Sequence, residues 1–389
     1  MVAFGLALGV SLDVAAKARW TVRVELGPEL DTNPARVTDE DQDSYDGASQ
    51  TAAPLFRLVT SSDLVWTRGS HRLVAALGGG GKLHLTDDGR LSDELVGHGS
   101  LAWTVFGAVV GWRLEGQYYD VFLRQPVEAL DCGGLRAPCP PPRDFRSGRV
   151  STSLLIGRGA TRGTLSVGYT GLEFKRDRAF SHHGFRLGVQ LWQGFRVGRG
   201  DAITDWGLVA RYVATARFFG GLGAVAAPCA DRDAFDCVEL GDFGRRDLNH
   251  QASFALDYLG GAAARLFYTL EINRSNSVGE SYTRHAIGMQ FTAPLVLGVF
   301  MTARLVIQLS SFDDALFSEQ VQQASVNIDI ENRSRLLLHF ARDVSERWAV
   351  SLRYAIYLNE SGTNDVGDTL PGFLRQTIFV GVRFEYDSE

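Results

Sequence analysis

From Arg265 to Asn273, Leu266, Tyr268, Leu270 and Ile272 fall on one row of the chain and Arg265, Thr269, Glu271 and Asn273 on the other. A period of two belongs to a pleated strand, not to a helix. The pattern returns with Trp348, Val350, Leu352, Tyr354, Ile356 and Leu358 set against Ser351, Arg353 and Asn359. It returns again with Leu374, Ile378, Val380, Val382, Phe384 and Tyr386 set against Arg375, Thr377, Gly381, Arg383 and Glu385. Each segment has one oily and one polar face. Phe267, Tyr357 and Phe379 sit on polar rows and Gln376 on an apolar one, too few exceptions to change either face.

Segments of this kind run from residues 19–29 to residues 373–386. There are about sixteen, within a range of roughly fourteen to eighteen, and most reach the 9 to 11 residues that a strand needs to cross a bilayer. The stretch 321–343 is too long for one strand, and Asn332 and Ser334 interrupt its apolar row. A soluble sandwich also alternates, with its apolar face against a second sheet, so the connections must separate the two architectures. After odd-numbered segments they are long (30–53, 123–146, 176–182, 220–245, 312–320 and 360–372, with 278–280 the exception). After even-numbered ones they are tight, as at Arg68-Gly69-Ser70, Gly157 to Thr161, Gly260-Gly261-Ala262, Leu297-Gly298 and Ser345-Glu346-Arg347. This parity predicts an all-β fold, a transmembrane antiparallel up-and-down β-barrel with its long loops outside the cell. Trp20, Trp66, Trp103, Trp206 and Trp348 fall near segment ends, where an interfacial girdle would hold them.

The 389 residues are 45% apolar and 22% charged, with 43 Gly against 11 Pro, which excludes disorder, collagen and a small disulfide scaffold. All 39 basic residues except Lys17, Lys82 and Lys175 are arginine, yet the net charge is -6, so no overall basic surface is offered to nucleic acid. Val2 to Leu12 is an uncharged apolar run, too short for a spanning helix and suited to a secretory signal. Ala16-Lys17-Ala18 supplies the small-residue cleavage site, so residues 1–18 are expected to form a signal peptide and 19–389 the barrel. Cys132 with Cys139 and Cys229 with Cys237 lie in Gly/Pro/Asp-rich stretches on the long-loop side and read as local disulfides of an exported protein. A zinc site is the weaker reading, since neither spacing is C-x-x-C and no well-placed His accompanies the pairs.

The last segment, Phe379-Val380-Gly381-Val382-Arg383-Phe384-Glu385-Tyr386, resembles the C-terminal assembly signal of the Gram-negative outer-membrane β-barrel superfamily. Gly381, Phe384 and Tyr386 occupy its glycine and aromatic positions, although Asp387-Ser388-Glu389 follow where the family's chain usually ends. Val24 to Asn33 is also similar to the first strand of barrels associated with envelope polysaccharide export and surface-protein assembly. The resemblance implies an integral outer-membrane location and contacts with outer-membrane lipid, lipopolysaccharide and the barrel assembly machinery. Periplasmic export or motility components are further partners it suggests.

Alternation places most strand arginines on the inward rows: Arg57, Arg113, Arg186, Arg211, Arg217, Arg265, Arg304, Arg333, Arg335, Arg353 and Arg375, with Arg23, Arg196, Arg284, Arg383 and Lys82 beside them. Glu25, Asp63, Glu115, Asp257, Glu271, Asp329, Glu331 and Glu385 share those rows. Two readings follow: an electropositive conduit whose low-dielectric wall focuses the field of guanidinium groups, or an interior of mutually paired Arg and Glu. The expected function is a channel or export conduit favouring anionic solutes or acidic polysaccharide; the alternatives are a non-conducting anchor of an envelope complex and an outer-membrane hydrolase. No nucleophile motif of the G-x-S-x-G kind occurs, so neither enzymatic activity nor a cofactor or metal is expected. The acidic run Asp39 to Asp46 and the pairs Asp87-Asp88 and Asp93-Glu94 lack EF-hand spacing and read as solvated loops. Gly78-Gly79-Gly80-Gly81-Lys82 lies within an alternating strand and lacks a following Ser or Thr, so it is no phosphate loop. His182 and His183 read as loop histidines.

Overall fold

The structure, a computed structural model, describes residues 16–32, 52–85, 93–123, 144–175, 181–198, 204–227, 237–278, 280–313, 334–359 and 373–388. They form β1 (Lys17–Asp31), β2 (Ala53–Arg68), β3 (His71–His84), β4 (Glu94–Phe106), β5 (Val110–Leu123), β6 (Phe145–Arg158), β7 (Thr161–Phe174) and β8 (His182–Val197). β9 (Thr204–Ala227), β10 (Cys237–Leu259), β11 (Ala263–Ser275), β12 (Tyr282–Pro294), β13 (Val299–Phe312), β14 (Ser334–Asp343), β15 (Trp348–Asn359) and β16 (Phe373–Ser388) complete them. Each strand pairs antiparallel with its sequence neighbours, and β1 pairs with β16 from Trp20 opposite Ser388 to Asp31 opposite Thr377. Closure pairs each strand on both sides through the body of the barrel, so the sheet has no free edge strand.

The outward rows are apolar. Leu77, Phe254, Leu309 and Ile287 are each more than half exposed, a surface that would aggregate in water and that hydrocarbon accommodates. At the short-turn end Trp103 meets Trp112 at 5.4 Å, Trp206 meets Tyr258 at 4.9 Å and Trp348 meets Phe384 at 5.0 Å. Trp20 meets Tyr386 at 6.3 Å, so both aromatics of the assembly-like signal belong to this interfacial girdle.

The three inward aromatics that broke the alternation have a structural explanation. Phe379 lies over Gly381, where a Cβ would meet its ring at 2.3 Å, and Phe267 lies over Gly288, where the distance would be 2.1 Å. Each ring fills the space its glycine leaves open. Tyr357 lies beneath the Arg375 guanidinium, 5.8 Å from the ring centroid. On the outward face, Gln376 accepts a hydrogen bond from the Tyr354 hydroxyl at 2.9 Å.

Several expectations need correction. The span 220–245 is not simply a loop, because β9 continues to Ala227 and β10 begins at Cys237. The two form a ribbon past the points where β8 and β11 stop pairing with them, at Phe219 and Asp247. Its β9 half is Gly- and Ala-rich and carries no hydrophobic alternation; backbone pairing extends it, and the Phe243 ring packs over Gly223 and Gly241. His182 and His183 open β8 instead of lying in a loop; His182 packs on Phe219 at 4.8 Å and His183 on Phe218 at 5.7 Å. Asp93 is not simply solvated: it accepts the His84 backbone N–H at 2.7 Å. β1 spans Lys17–Asp31, two residues longer at each end than the segment 19–29 read from alternation. Within 321–343, β14 accounts for Ser334–Asp343. Residues 1–15, the acidic run 39–46, Asp87, Asp88, Asp329, Glu331, Arg333, Cys132, Cys139 and Cys229 lie outside the described residues, and Cys237 enters only through its backbone pairing with Ala227.

Candidate functional site

Arg57, Arg113, Arg186, Arg211, Arg217, Arg265, Arg304, Arg335, Arg353 and Arg375 all stand on inward rows of the closed ladder. Their surroundings divide them. Along the seam where the chain ends meet, every one of these cations has a carboxylate. Arg57 Nη1 lies 3.0 Å from Glu29, which also binds Lys82 and is wholly enclosed. Arg375 Nε donates to both oxygens of buried Asp31 at 3.0 Å. Arg353 reaches Glu25 at 3.0 Å, and Arg23 reaches Glu385 at 3.2 Å. Arg57 and Arg353 also lie over the Phe379 ring, 5.5 and 5.6 Å from its centroid, so cation–π attraction adds to the ion pairs.

The wall made by β6 to β9 is different. Its inward rows are rich in Ser, Thr, Gly and Gln; Arg162 on β7 and Arg196 on β8 stand at the short-turn end, and Arg149 on β6, Arg186 on β8, and Arg211 and Arg217 on β9 stand above them. Asp205 is the one acid among its described inward residues, and it is held at the short-turn end by Arg196 at 2.9 Å. None of the four upper arginines makes an ion pair among the described residues. Arg186 instead meets the repulsion of Arg149, Arg211 and Arg217. A recess of about 410 Å³ opens over them, lined further by Thr215, Asn249, Gln251, Thr269 and Gln308. Glu271 at its margin is already engaged by Tyr282 at 2.7 Å, Asn249 at 2.8 Å and Arg284 at 3.4 Å.

Space as well as charge shapes this wall. In register, Arg186 has Gly168 beside it on β7 and Arg217 has Gly184 beside it on β8. A Cβ at Gly184 would stand 2.1 Å from the Ala216 carbonyl oxygen, so the strands could not keep this approach with a larger residue. Arg149 belongs to the group although the strongest alternation does not mark it. Its inward neighbours are Ser147, Ser151 and Ser153, and its outward row is diluted by Gly148 and Thr152. The remaining inward cations are intermediate: Arg113 pairs with Glu115 at 2.7 Å and Arg265 with Asp257 at 3.5 Å. Arg304 and Arg335 make no ion pair among the described residues.

Above the β10–β11 wall a buried network ties the short 276–281 connection to the barrel. Arg245 stacks on Phe219 at 3.9 Å and binds Asp247 at 2.8 Å and Glu280. Asn273 donates to the Glu280 carbonyl at 2.8 Å. Burial pushes the Glu280 carboxyl up to about 7, against the pull of Arg245.

No cluster of three or more potential metal ligands occurs among the described residues. A closed sixteen-stranded barrel, oily outside and charged inside, defines the class: an integral β-barrel protein of the bacterial outer membrane. No family model and no curated protein matches the chain. Among solved structures it is similar to an anion-selective porin from Comamonas acidovorans at 13% identity and a TM-score of 0.44, covering 96% of this chain and 100% of that one. OmpF of Salmonella typhi is 9% identical at a TM-score of 0.43, over 96% and 100% of the two chains. OprD of Pseudomonas aeruginosa is 12% identical at 0.38, over 96% of each. At overlaps this low the architecture rests on the strand pairing itself.

Proposed function

We propose that this barrel is a channel whose interior favours anionic solutes. The observation that carries the reading is the β6–β9 wall, where Arg149, Arg186, Arg211 and Arg217 face the interior without ion pairs among the described residues. Arginine stays charged at any physiological pH. A low-dielectric wall strengthens its field, so the local concentration of small anions rises and that of cations falls. The seam contributes little to this field, because its cations and carboxylates cancel within a few ångströms. Export of an acidic polysaccharide would draw on the same field. The chemistry needed is electrostatic, and a catalytic role has no support in the residues of the recess.

Planar-bilayer reversal potentials under a salt gradient test the proposal. Anions should be preferred, and the preference should fade at high ionic strength, where the screening length falls to about 3 Å at 1 M. Replacing Arg186, Arg211 and Arg217 together by Gln should weaken the preference. A conducting wild-type channel without anion preference would overturn the selectivity, and a barrel that conducts under no condition would favour an envelope anchor instead.

A further inference from the structure

The outward rows hold a second pattern, independent of the interior. Among the described strand residues, outward Arg, Lys, Asp or Glu near the long-loop end occur in two sectors. The first, on β5 to β7, is balanced. Arg146 binds Glu173 at 2.9 Å, and Lys175, just past β7, binds Asp120. The second, on β10 and β11, is not paired throughout: it also holds Asp242, exposed four residues from Arg246 on the same row, but no ion pair joins the two. Arg274 pairs with Asp313 just past β13, whereas Arg246 is exposed and its side chain has no partner among the described residues. Arg274 stands opposite Leu248, so Arg246 and Arg274 are diagonal neighbours, about 7 to 8 Å apart at the backbone.

Below this pair the surface grades toward hydrocarbon. The Tyr212 hydroxyl binds His250 Nδ1 at 2.6 Å and the Tyr268 hydroxyl binds His285 Nδ1 at 2.7 Å, all four side chains facing outward. Beyond them come Phe254, Leu266 and Ile287, each more than half exposed. Charge, then hydrogen-bonding aromatics, then aliphatic surface is the vertical profile of an amphipathic lipid bearing an anionic headgroup.

We propose that the β10–β11 exterior holds a phosphate-bearing lipid of the outer leaflet, with its phosphate on Arg246 and Arg274 and its acyl chains against Phe254, Leu266 and Ile287. Guanidinium groups suit phosphate because their planar forks donate two parallel hydrogen bonds. Asp313 neutralises only one of the two cations, and Asp242 stands about 13 Å farther along β10, which leaves an uncompensated positive charge around Arg246 at headgroup level. The balanced sector on β5–β7 has none to offer and serves as the internal control.

The test is native mass spectrometry of the full chain, folded in detergent and loaded from vesicles of zwitterionic phospholipid containing lipid A. Wild type should retain lipid A and should retain dephosphorylated lipid A several-fold less. Arg246→Gln with Arg274→Gln should lose retention several-fold while keeping the heat-shifted gel band of a folded barrel; Arg146→Gln with Lys175→Gln should not lose it. Should the double variant fail to fold, Arg246→Gln alone and the phosphate dependence in wild type carry the same decision. Equal retention of both lipids by wild type, or undiminished retention by the Arg246 variants, overturns the site. Displacement by millimolar inorganic phosphate as complete as by excess lipid A would assign it to free anions and overturn the lipid.

Discussion

The seam wall and the β6–β9 wall are built from the same residue type on the same rows of the same sheet, yet they do opposite things with it. At the seam, Arg57, Arg353 and Arg375 are bound to Glu29, Glu25 and Asp31 and enclosed by Phe379 and Tyr357. There arginine is structural. Its charge is compensated by a carboxylate that is itself enclosed, so each partner offsets the other's burial. On β6–β9 arginine has Ser, Thr and Gly around it, open space above it and other arginines nearby. Its charge remains available to whatever enters. The number of arginines in a barrel interior therefore says little about selectivity, and the distribution of acids among them says more.

The strongest way to break this contrast is Arg375→Gln. It removes the guanidinium that donates to both oxygens of Asp31, wholly buried, and removing one partner of a buried pair costs about 3 to 5 kcal/mol. Urea unfolding should move to a markedly lower midpoint, whereas Arg211→Gln should leave the midpoint unchanged or raise it. Equal effects of the two substitutions would abolish the distinction between the walls.

Charge reversal on the open wall comes next. Arg186→Glu, Arg211→Glu and Arg217→Glu together should carry the reversal potential from anion toward cation preference in a barrel of undiminished heat stability. The matching reversals at the seam should impair folding before selectivity can be read. A triple variant that conducts with wild-type selectivity would dissociate this wall from permeation.

Glu29→Gln sharpens the comparison more gently. It leaves Arg57 and Lys82 without their shared acid, so bilayer measurements should show anion preference rising while stability falls by about 1 to 3 kcal/mol, the usual cost of a buried group left unsatisfied. An unchanged reversal potential would mean that the seam lies off the permeation path.

The smallest effect concerns the rim. Because the Glu280 carboxyl sits near 7 in the folded protein and 4.5 is its ordinary value, the unfolded segment gives up its proton first as pH rises. Stability of the 276–281 connection should therefore decline between about pH 4.5 and 7 and level off above. Hydrogen exchange of its amides, corrected for intrinsic rates, should show more frequent opening at pH 8 than at pH 5. Glu280→Gln should flatten that slope, and a slope that survives the substitution would assign it to another group.

Alternation alone determined that the chain is built of strands, which face of each is oily, and that the long connections gather at one end, because side-chain direction in a strand depends only on residue parity. The same parity placed Arg57, Arg186, Arg211 and Arg375 on the inner face and drew the two signal aromatics, Phe384 and Tyr386, outward to the girdle. It failed where side chains are too small to declare a face, as in the glycine-rich β9–β10 ribbon and around Arg149. Tertiary structure decided which arginines are neutralised. Arg375 and Asp31 are 344 residues apart in the chain, and only closure of β16 onto β1, in one register among the many that parity allows, brings them together. A period of two assigns a residue to a face; the stagger between strands decides what it meets there, and that depends on the whole ring closing at once.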